Sequence, residues 1–528
     1  MDRGAERGSG LAQDGLAQDW PAPAASGPVL AVLRLPGSKS MTNRALVLAA
    51  LADGPATVRN PLRARDTDLM VAALRALGAR IEAASGSADD GPAAASCWLV
   101  TPAATGGTAP GGTRAGAAPG GTRPGAAPGG TAPGDTRAGT APGDTRAGAA
   151  PGDTRPGTAP GGTRPAHAGS VRRLTVDVGN AGTVLRFVPP VAALAVADAD
   201  FRGDDRASAR PVGPLLAALR ELGATIDDGG RGAIPFTVRG RGGVRGGAVT
   251  LDASASSQLV SGLLLAAPRF DKGAEIRHDG PRLPSAPHLA MTVQMLREAG
   301  ADVETRSRAP GGAGAVGPVS DIWRVHPGVL APGTVTVEPD LSNAGPFLAA
   351  ALVTAGTVTV AGWPARTTQP AAQILDVLTS MGAVCTATAD GMQVTGPGEI
   401  RGVTADLRDV SELTPVLTAV AALASGPSVF TGIGHQRAQE CDRLAALARE
   451  ISALGGDVTE HPDSLQIRPR PLRGDGAVFA SYDDHRLVMA AAVLGLAVPG
   501  LHVRNAATVR KTFPGFISSW AAMLGRAP

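Results

Sequence analysis

The chain has 528 residues, of which 43% are apolar, 18% charged and 3% aromatic, with a formal net charge of +3. Length alone leaves room for about three domains at roughly 150 residues each. So small a net charge excludes a chain-wide electrostatic case for a nucleic-acid partner. No apolar run reaches the roughly 18 residues that a bilayer span needs, so no membrane partner is expected. The three cysteines, Cys97, Cys385 and Cys441, are odd in number and far apart. Neither a disulfide framework nor a Cys-pair metal site follows, and a reducing cytoplasm is the expected setting.

In chain order, residues 1–28 contain neither an apolar core nor a cleavage-like site, and they read as a disordered extension rather than a secretory signal. The segment LPGSKSMTNRALVLAALADG (35–54) comes next. Pro36 and Gly37 break a strand, and the run from Asn43 is helical. Lys39, Ser40 and Arg44 therefore cluster at a helix N-terminus, where unpaired N–H groups and the dipole favour an anion. A capped helix with incidental basic residues has the same local pattern. Lysine is rare in this chain: Lys39, Lys272 and Lys511 are its only three, and arginine fills every other basic position.

From about 104 to 169 the chain repeats a nine-residue unit, as in GGTRAGAAP (111–119) and GDTRAGAAP (143–151). The unit offers no large apolar side chain to offset the entropy of ordering, so the tract reads as disordered. It falls between two strand-like segments, CWLV and LTVDV, where an insertion is tolerated. It also holds 19 of the 71 glycines and 10 of the 44 prolines, about a quarter of each.

A longer repeat emerges once this insert is set aside. LRALGARIE, LRELGATID, LREAGADVE, LTSMGAVCT and ISALGGDVT each join a helix end, a glycine and a strand start. Their glycines, at 78, 223, 300, 382 and 455, recur about every 75–80 residues. With the C-terminal SWAAMLG run as a degenerate sixth copy, the chain is an α/β protein of six units shared between two globular halves.

Three further constellations carry chemistry. In VGNAGTVLRF (178–187), Gly179, Ala181 and Gly182 leave backbone N–H groups open, with Arg186 one turn on, which suits an anion cradle. Arg206 and Arg210 follow in a charged loop. Ser256, Ser257 and Gln258 precede one apolar helix, and PSAPH, with Ser285, precedes the next. These hydroxyls and this amide act equally well as helix caps or as partners of a phosphorylated polyol. The C-terminal set is Glu412, His435, Arg437, Glu440, Arg443, His485, Arg486 and Lys511. Carboxylates among cations with a nearby histidine are what proton transfer to and from carbon requires. Surface ion pairing is the ordinary alternative. No His, Cys or carboxylate spacing matches a zinc or magnesium cage, so no metal or other cofactor is expected.

Together, the PGSKSMTNRAL, GNAGTVLR, SSQ, ECDR, DDHR and RKTFP segments resemble the 5-enolpyruvylshikimate-3-phosphate synthase family, over about residues 30–525. The resemblance implies a two-domain inverse α/β half-barrel of six βαβαββ units, three per domain. The first domain would be 38–337 and the second 29–37 plus 338–528, with the cleft between them holding the substrates. It implies transfer of the enolpyruvyl group of phosphoenolpyruvate to the 5-hydroxyl of shikimate 3-phosphate, with release of phosphate through a tetrahedral intermediate. By the same resemblance Lys39, Ser40, Arg44, Ser256, Ser257, Gln258, Ser285, Glu412 and His435 hold shikimate 3-phosphate. Lys39, Asn180, Gly182, Arg206, Gln258, Arg443, Arg486 and Lys511 hold phosphoenolpyruvate. Glu412 accepts the hydroxyl proton, and Glu440 protonates the methylene carbon with help from Lys39 and His485. A cytoplasmic monomer acting on small molecules is expected.

Several positions depart from the commonest family pattern. Glu412 stands in place of Asp, His435 of Asn, Gln439 of Lys and Cys441 of Thr; Ala286 and His288 replace Lys and Tyr, and Phe187 replaces Pro. The Gln439 change removes a cation expected near shikimate 3-phosphate. The related transferase acting on UDP-N-acetylglucosamine typically carries Lys-Asn at the first turn and often a reactive loop cysteine. Here the turn reads Lys39-Ser40 and the corresponding region holds no cysteine. A non-catalytic phosphate-binding relic would have lost Glu412 or Glu440, and both are present. A scaffold built on the nine-residue repeat is disfavoured because the tract is a small share of the chain.

Overall fold

The computed structural model describes residues 19–84, 96–103, 171–281, 283–307 and 320–526. The repeat tract expected at 104–169 lies outside the described residues, as do residues 1–18 of the expected extension.

One four-stranded pattern is used five times, and a sixth sheet keeps three of its strands. In the sheet built from Arg173–Asp177, Asp198–Arg202, Thr225–Asp227 and Phe236–Arg239, the first two strands are parallel. The last strand lies antiparallel between the second and the third. The sheets starting at Gly247–Leu251 and Thr404–Asp406 repeat this order. Two more take their first strand from a distant part of the chain: Leu30–Leu33 runs parallel to Thr357–Ala361, and Thr334–Thr336 runs parallel to Ala56–Arg59. The chain therefore passes twice between two lobes. The two passages lie side by side, with Ser38 N–H donating to the Glu338 carbonyl at 2.8 Å and Asp340 N–H to that of Pro36 at 2.9 Å. A Cβ on Gly37 would meet the Asn60 carbonyl at 1.9 Å, so only glycine fits this crossing.

The sequence repeat has a direct structural cause. Gly78, Gly223, Gly300, Gly382 and Gly455 all have φ between +92° and +112°, the left-handed side on which glycine ends a helix. The helices Gly182–Leu194, Gln258–Ala266, Leu341–Val353, Thr414–Ala422 and His485–Ala497 are apolar all round and almost wholly buried. Around them form two hydrophobic cores. One gathers residues between Met41 and Val337; the other gathers Leu341 to Met523 together with Ala22, Val29 and Leu35.

Two sequence expectations need correction. Residues 19–28 are not a free extension: Trp20–Pro21 pairs antiparallel with His502 and Val503, on the side of His502–Arg504 opposite Val478–Ala480, and so completes the sixth sheet. The anchor is backbone pairing plus the buried Ala22 and the half-buried Trp20 and Ala25 against the second core, too few apolar side chains to form a pattern. The first helix begins at Lys39 rather than Asn43. The Asp340 carboxylate accepts from Lys39 N–H at 3.0 Å, and this distant carboxylate stabilises the early start. No helix among the described residues is long and apolar enough to cross a membrane.

Candidate active site

The helix starts of both lobes converge on one cavity of about 900 Å³, its open mouth included. Lys39 and Ser40 open Lys39–Ala50, Gly182 and Thr183 open Gly182–Leu194, and Ser257 and Gln258 start Gln258–Ala266. From the other lobe come Ser342 at the start of Leu341–Val353, Arg443 at that of Arg443–Ala453, and His485 and Arg486 at that of His485–Ala497. Helix starts carry a partial positive charge, but carboxylates cap four of these: Asp340 accepts from Lys39 N–H and Asn343 N–H, Asp442 from Ala445 N–H and Asp484 from Arg486 N–H. The N-cap residues of Gly182–Leu194 and Gln258–Ala266 make no side-chain cap.

Full charges add to this. Lys39, Arg210, Arg443 and Arg486 line the cavity. Glu440 sits among them: Arg443 Nη2 is 2.9 Å from its Oε2, Lys511 Nζ 3.0 Å from its Oε1, and Arg210 Nη2 3.9 Å from the same Oε1. Burial alone would push the Glu440 carboxyl up, but the charges of Lys511, Arg443 and Arg210 hold it well below the usual carboxylate range. Arg443 is fixed from behind by Asp484, with Nε to Oδ2 at 2.7 Å. Arg486 donates to the Ser342 carbonyl at 2.8 Å.

Glu412 is in the opposite condition. Burial raises its carboxyl, and the more distant Arg486 and Arg443 only partly offset that. Two carboxylates on one cavity thus differ in their hold on a proton, the arrangement that separates acid from base. The histidines here are neutral near pH 7. Burial, with Arg443 and Arg408 adding to it, lowers His435 to about 4. Burial with Arg44 and Lys39 lowers His288 to about 3. Burial with Arg486 and Lys39 puts His485 well below its ordinary value. His435 Nε2 pairs with Ser411 Oγ at 2.7 Å, while His485 Nδ1 is buried with no hydrogen-bond partner among the described residues.

Of the residues singled out in the sequence, Lys39, Ser40, Gly182, Ser256, Ser257, Gln258, Ser285, Glu412, His435, Glu440, Arg443, His485 and Arg486 line the cavity. Three others stand behind the wall. Lys511 holds Glu440. Asn180 accepts from Arg210 Nη1 through both its carbonyl, at 2.9 Å, and Oδ1, at 3.1 Å. Arg44 is 1% exposed, and its guanidinium is committed to Ser40 O, Thr292 Oγ1 and His288 O, so it braces the wall instead of reaching a ligand.

Arg206 is not brought to the site. It lies exposed on the short helix Asp205–Ser208. Arg210, four residues on, is buried, is pinned by Asn180 and lines the cavity. A Cβ on Gly182 would lie 2.9 Å from both the Arg186 and the Arg210 guanidinium, so a methyl there would press on both. Sequence reasoning also passed over Asp66, 3.4 Å from Lys39 Nζ, and Ser342, 3.4 Å from Glu412. Among the described residues no group of three or more His, Cys, Asp or Glu side chains is placed to hold a metal ion.

Known proteins give this geometry a context. The family model for EPSP synthase (3-phosphoshikimate 1-carboxyvinyltransferase) matches residues 23–91 and 162–520. A 3-phosphoshikimate 1-carboxyvinyltransferase of Kocuria rhizophila is 46% identical over 519 residues, covering 97% of this chain and 98% of the relative. A solved EPSP synthase of Acinetobacter baumannii matches with a TM-score of 0.67 at 22% identity, over 97% of this chain and 99% of that one. The enolpyruvyl transferase NikO of Streptomyces tendae matches with a TM-score of 0.63 at 17% identity, over 96% and 98%. The two solved structures share the two-domain inverse α/β fold with this protein. Matched across most of its length by that family model and at 46% identity by a full-length relative, the chain belongs to the EPSP synthase family.

Proposed function

We propose that this protein transfers the enolpyruvyl group of phosphoenolpyruvate to the 5-hydroxyl of shikimate 3-phosphate and releases phosphate. The observation that carries this reading is the pair Glu412 and Glu440, held in opposite protonation environments on one cavity lined by Lys39, Arg210, Arg443 and Arg486. Four lining cations and the two helix starts that no carboxylate caps lower the cost of bringing two phosphorylated anions together. Lys39, Ser40, Ser256, Ser257, Gln258, Ser285 and His435 would take shikimate 3-phosphate, with Arg44 bracing Ser40. Arg210, in place of Arg206, would take phosphoenolpyruvate with Arg443, Arg486 and the Gly182 backbone; Asn180 fixes Arg210, and Lys511 fixes Glu440.

In the addition, the methylene carbon gains a proton from Glu440 while the 5-oxygen bonds to C2 and gives its proton to Glu412. In the elimination, the new methyl returns a proton to Glu440 and the C2–phosphate oxygen bond breaks; the leaving phosphate takes up the proton held by Glu412, the double bond returns and both carboxyls are reset. Glu440 is ionised in the empty site. A bound phosphoenolpyruvate occupies the same cations and adds negative charge beside it, and both effects raise its affinity for the proton it must donate. His485, being neutral, orients groups by hydrogen bonding and does not act as the acid.

This reading divides the chain into lobes of 38–337 and 29–37 plus 338–528. It takes the protein as a cytoplasmic monomer, supported by a site drawn from a single chain and by three free cysteines. Phosphate release from the two substrates without added metal, with the product identified by NMR, is the test. No turnover at saturating substrates would remove the proposal.

A further inference from the structure

Tyr482 is the only tyrosine in the 528 residues. It occupies the turn Ser481–Asp484, closed by Asp484 N–H to the Ser481 carbonyl at 2.9 Å. Both central residues are left-handed, with φ +52° at Tyr482 and +56° at Asp483. Neither is glycine, so this backbone persists only because its surroundings hold it.

The holding groups come largely from the helix Arg443–Ala453. Glu450 on that helix is buried; its Oε1 accepts from the Tyr482 hydroxyl at 2.6 Å and its Oε2 from Ala480 N–H at 2.9 Å. Asn505 Nδ2 donates to Asp483 Oδ1 at 2.5 Å. The same helix starts at Arg443, whose Nε meets Asp484 Oδ2 at 2.7 Å. One helix therefore grips the turn twice, at the cavity through Arg443 and about two turns away through Glu450. Asp484 in turn accepts Arg486 N–H at 2.8 Å, and so fixes the start of the helix that carries His485 and Arg486.

We propose that Glu450 and Tyr482 are positioning residues for the phosphoenolpyruvate half of the site. Their hydroxyl–carboxylate bond locks the turn that places Asp484, and Asp484 sets where the Arg443 and Arg486 guanidiniums stand. A tilt of this turn moves both arginines together. Ser256, Ser257 and Ser285 stand on elements of the other lobe and make no bond to this turn. Of the groups proposed for shikimate 3-phosphate, His435 shares the lobe of this turn but is held by Ser411, so loosening the turn acts chiefly on phosphoenolpyruvate.

The inference rests on the proposed transfer reaction, and the experiment separates the two. Tyr482→Phe removes one hydroxyl; Glu450→Gln keeps an acceptor oxygen and Glu450→Ala removes it. In steady-state kinetics Tyr482→Phe is expected to raise KM for phosphoenolpyruvate about five- to twentyfold, less than the roughly ten- to hundredfold of one lost hydrogen bond to a charged group, because the bond acts on the site through the turn. KM for shikimate 3-phosphate should stay within about twofold and Tm within a few degrees. Glu450→Gln should fall between wild type and Glu450→Ala. Constants within about twofold of wild type in Tyr482→Phe overturn the inference, and so does an equal rise in both KM values. Titration calorimetry with phosphoenolpyruvate alone keeps the test independent of turnover. Wild-type protein that binds but does not turn over overturns the activity, whereas an unchanged Kd in Tyr482→Phe overturns the positioning role.

Discussion

The ammonium of Lys511 lies 3.0 Å from Oε1 of Glu440, and both side chains are 6% exposed. This buried pair, completed by Arg443 on the second carboxylate oxygen, fixes the group that the reaction asks to deliver a proton to carbon. Glu440→Gln keeps the shape and loses the proton, so phosphate release should fall at least about a hundredfold. Stability should change as well. A carboxyl whose folded value is depressed contributes stability above its unfolded value of 4.5, and this contribution fades as pH falls toward the folded value. At pH 7 the variant leaves Lys511 without its counter-charge, a loss of about 3 kcal/mol or more for a broken buried pair. Denaturant titrations should show that gap at pH 7 and a narrowing of it below about pH 4.5.

Glu412 predicts the opposite sign. Burial raises its carboxyl above 4.5, so the folded protein holds this proton more tightly than the unfolded chain does. Stability is therefore lost as pH rises from 4.5 through the folded value, and at pH 7 the ionised side chain is a burden. Glu412→Gln should raise Tm at pH 7, lose that advantage at pH 4, and reduce turnover by at least about a hundredfold. The wild-type rate should show an acid limb above the ordinary carboxylate range, because the base works only when ionised.

Arg206 and Arg210 offer a paired test within one loop. Arg210→Ala removes a buried guanidinium that lines the cavity, so KM for phosphoenolpyruvate should rise about ten- to a hundredfold, as for a charge-assisted bond. Arg206→Ala removes an exposed side chain, and its kinetics should stay within about twofold of wild type. A reversed ranking in steady-state kinetics would return the role to Arg206.

What could be read from the sequence follows from how local its cause is. The helix-end glycines were legible because a positive φ leaves its mark on one residue, and five repeats of it disclosed the unit. Lys39, Gln258, Glu440 and Arg443 were legible because each falls within a contiguous motif. Asp66 and Ser342 were not, since each owes its place to a partner 27 or more residues away and carries no local pattern. Arg206 and Arg210 share a loop and a chemistry. Only the pinning of Arg210 by Asn180, 30 residues earlier, decides between them.

The N-terminal anchor makes the last prediction. Trp20 pairs with Val503, Ala22 N–H donates to the Leu501 carbonyl at 2.9 Å, and Ala25 N–H donates to that of Leu496 at 3.0 Å. These bonds finish the sixth sheet next to the helix His485–Ala497, which carries His485 and Arg486. The close approach has a signature on the partner helix, because a Cβ on Gly495 would lie 2.5 Å from the Ala22 Cβ. Removing residues 1–18 should leave Tm and turnover unchanged. Removing 1–25 strips the edge pairing and bares the groove over Gly495, so Tm should fall by several degrees. Gly495→Ala in the full chain should lower Tm in the same way, since the added methyl expels Ala22. In protein lacking 1–25 that substitution should cost far less, because the clash is gone and alanine favours the helix by about 1 kcal/mol over glycine. Equal losses in both backgrounds would mean that Ala22 does not seat on this helix.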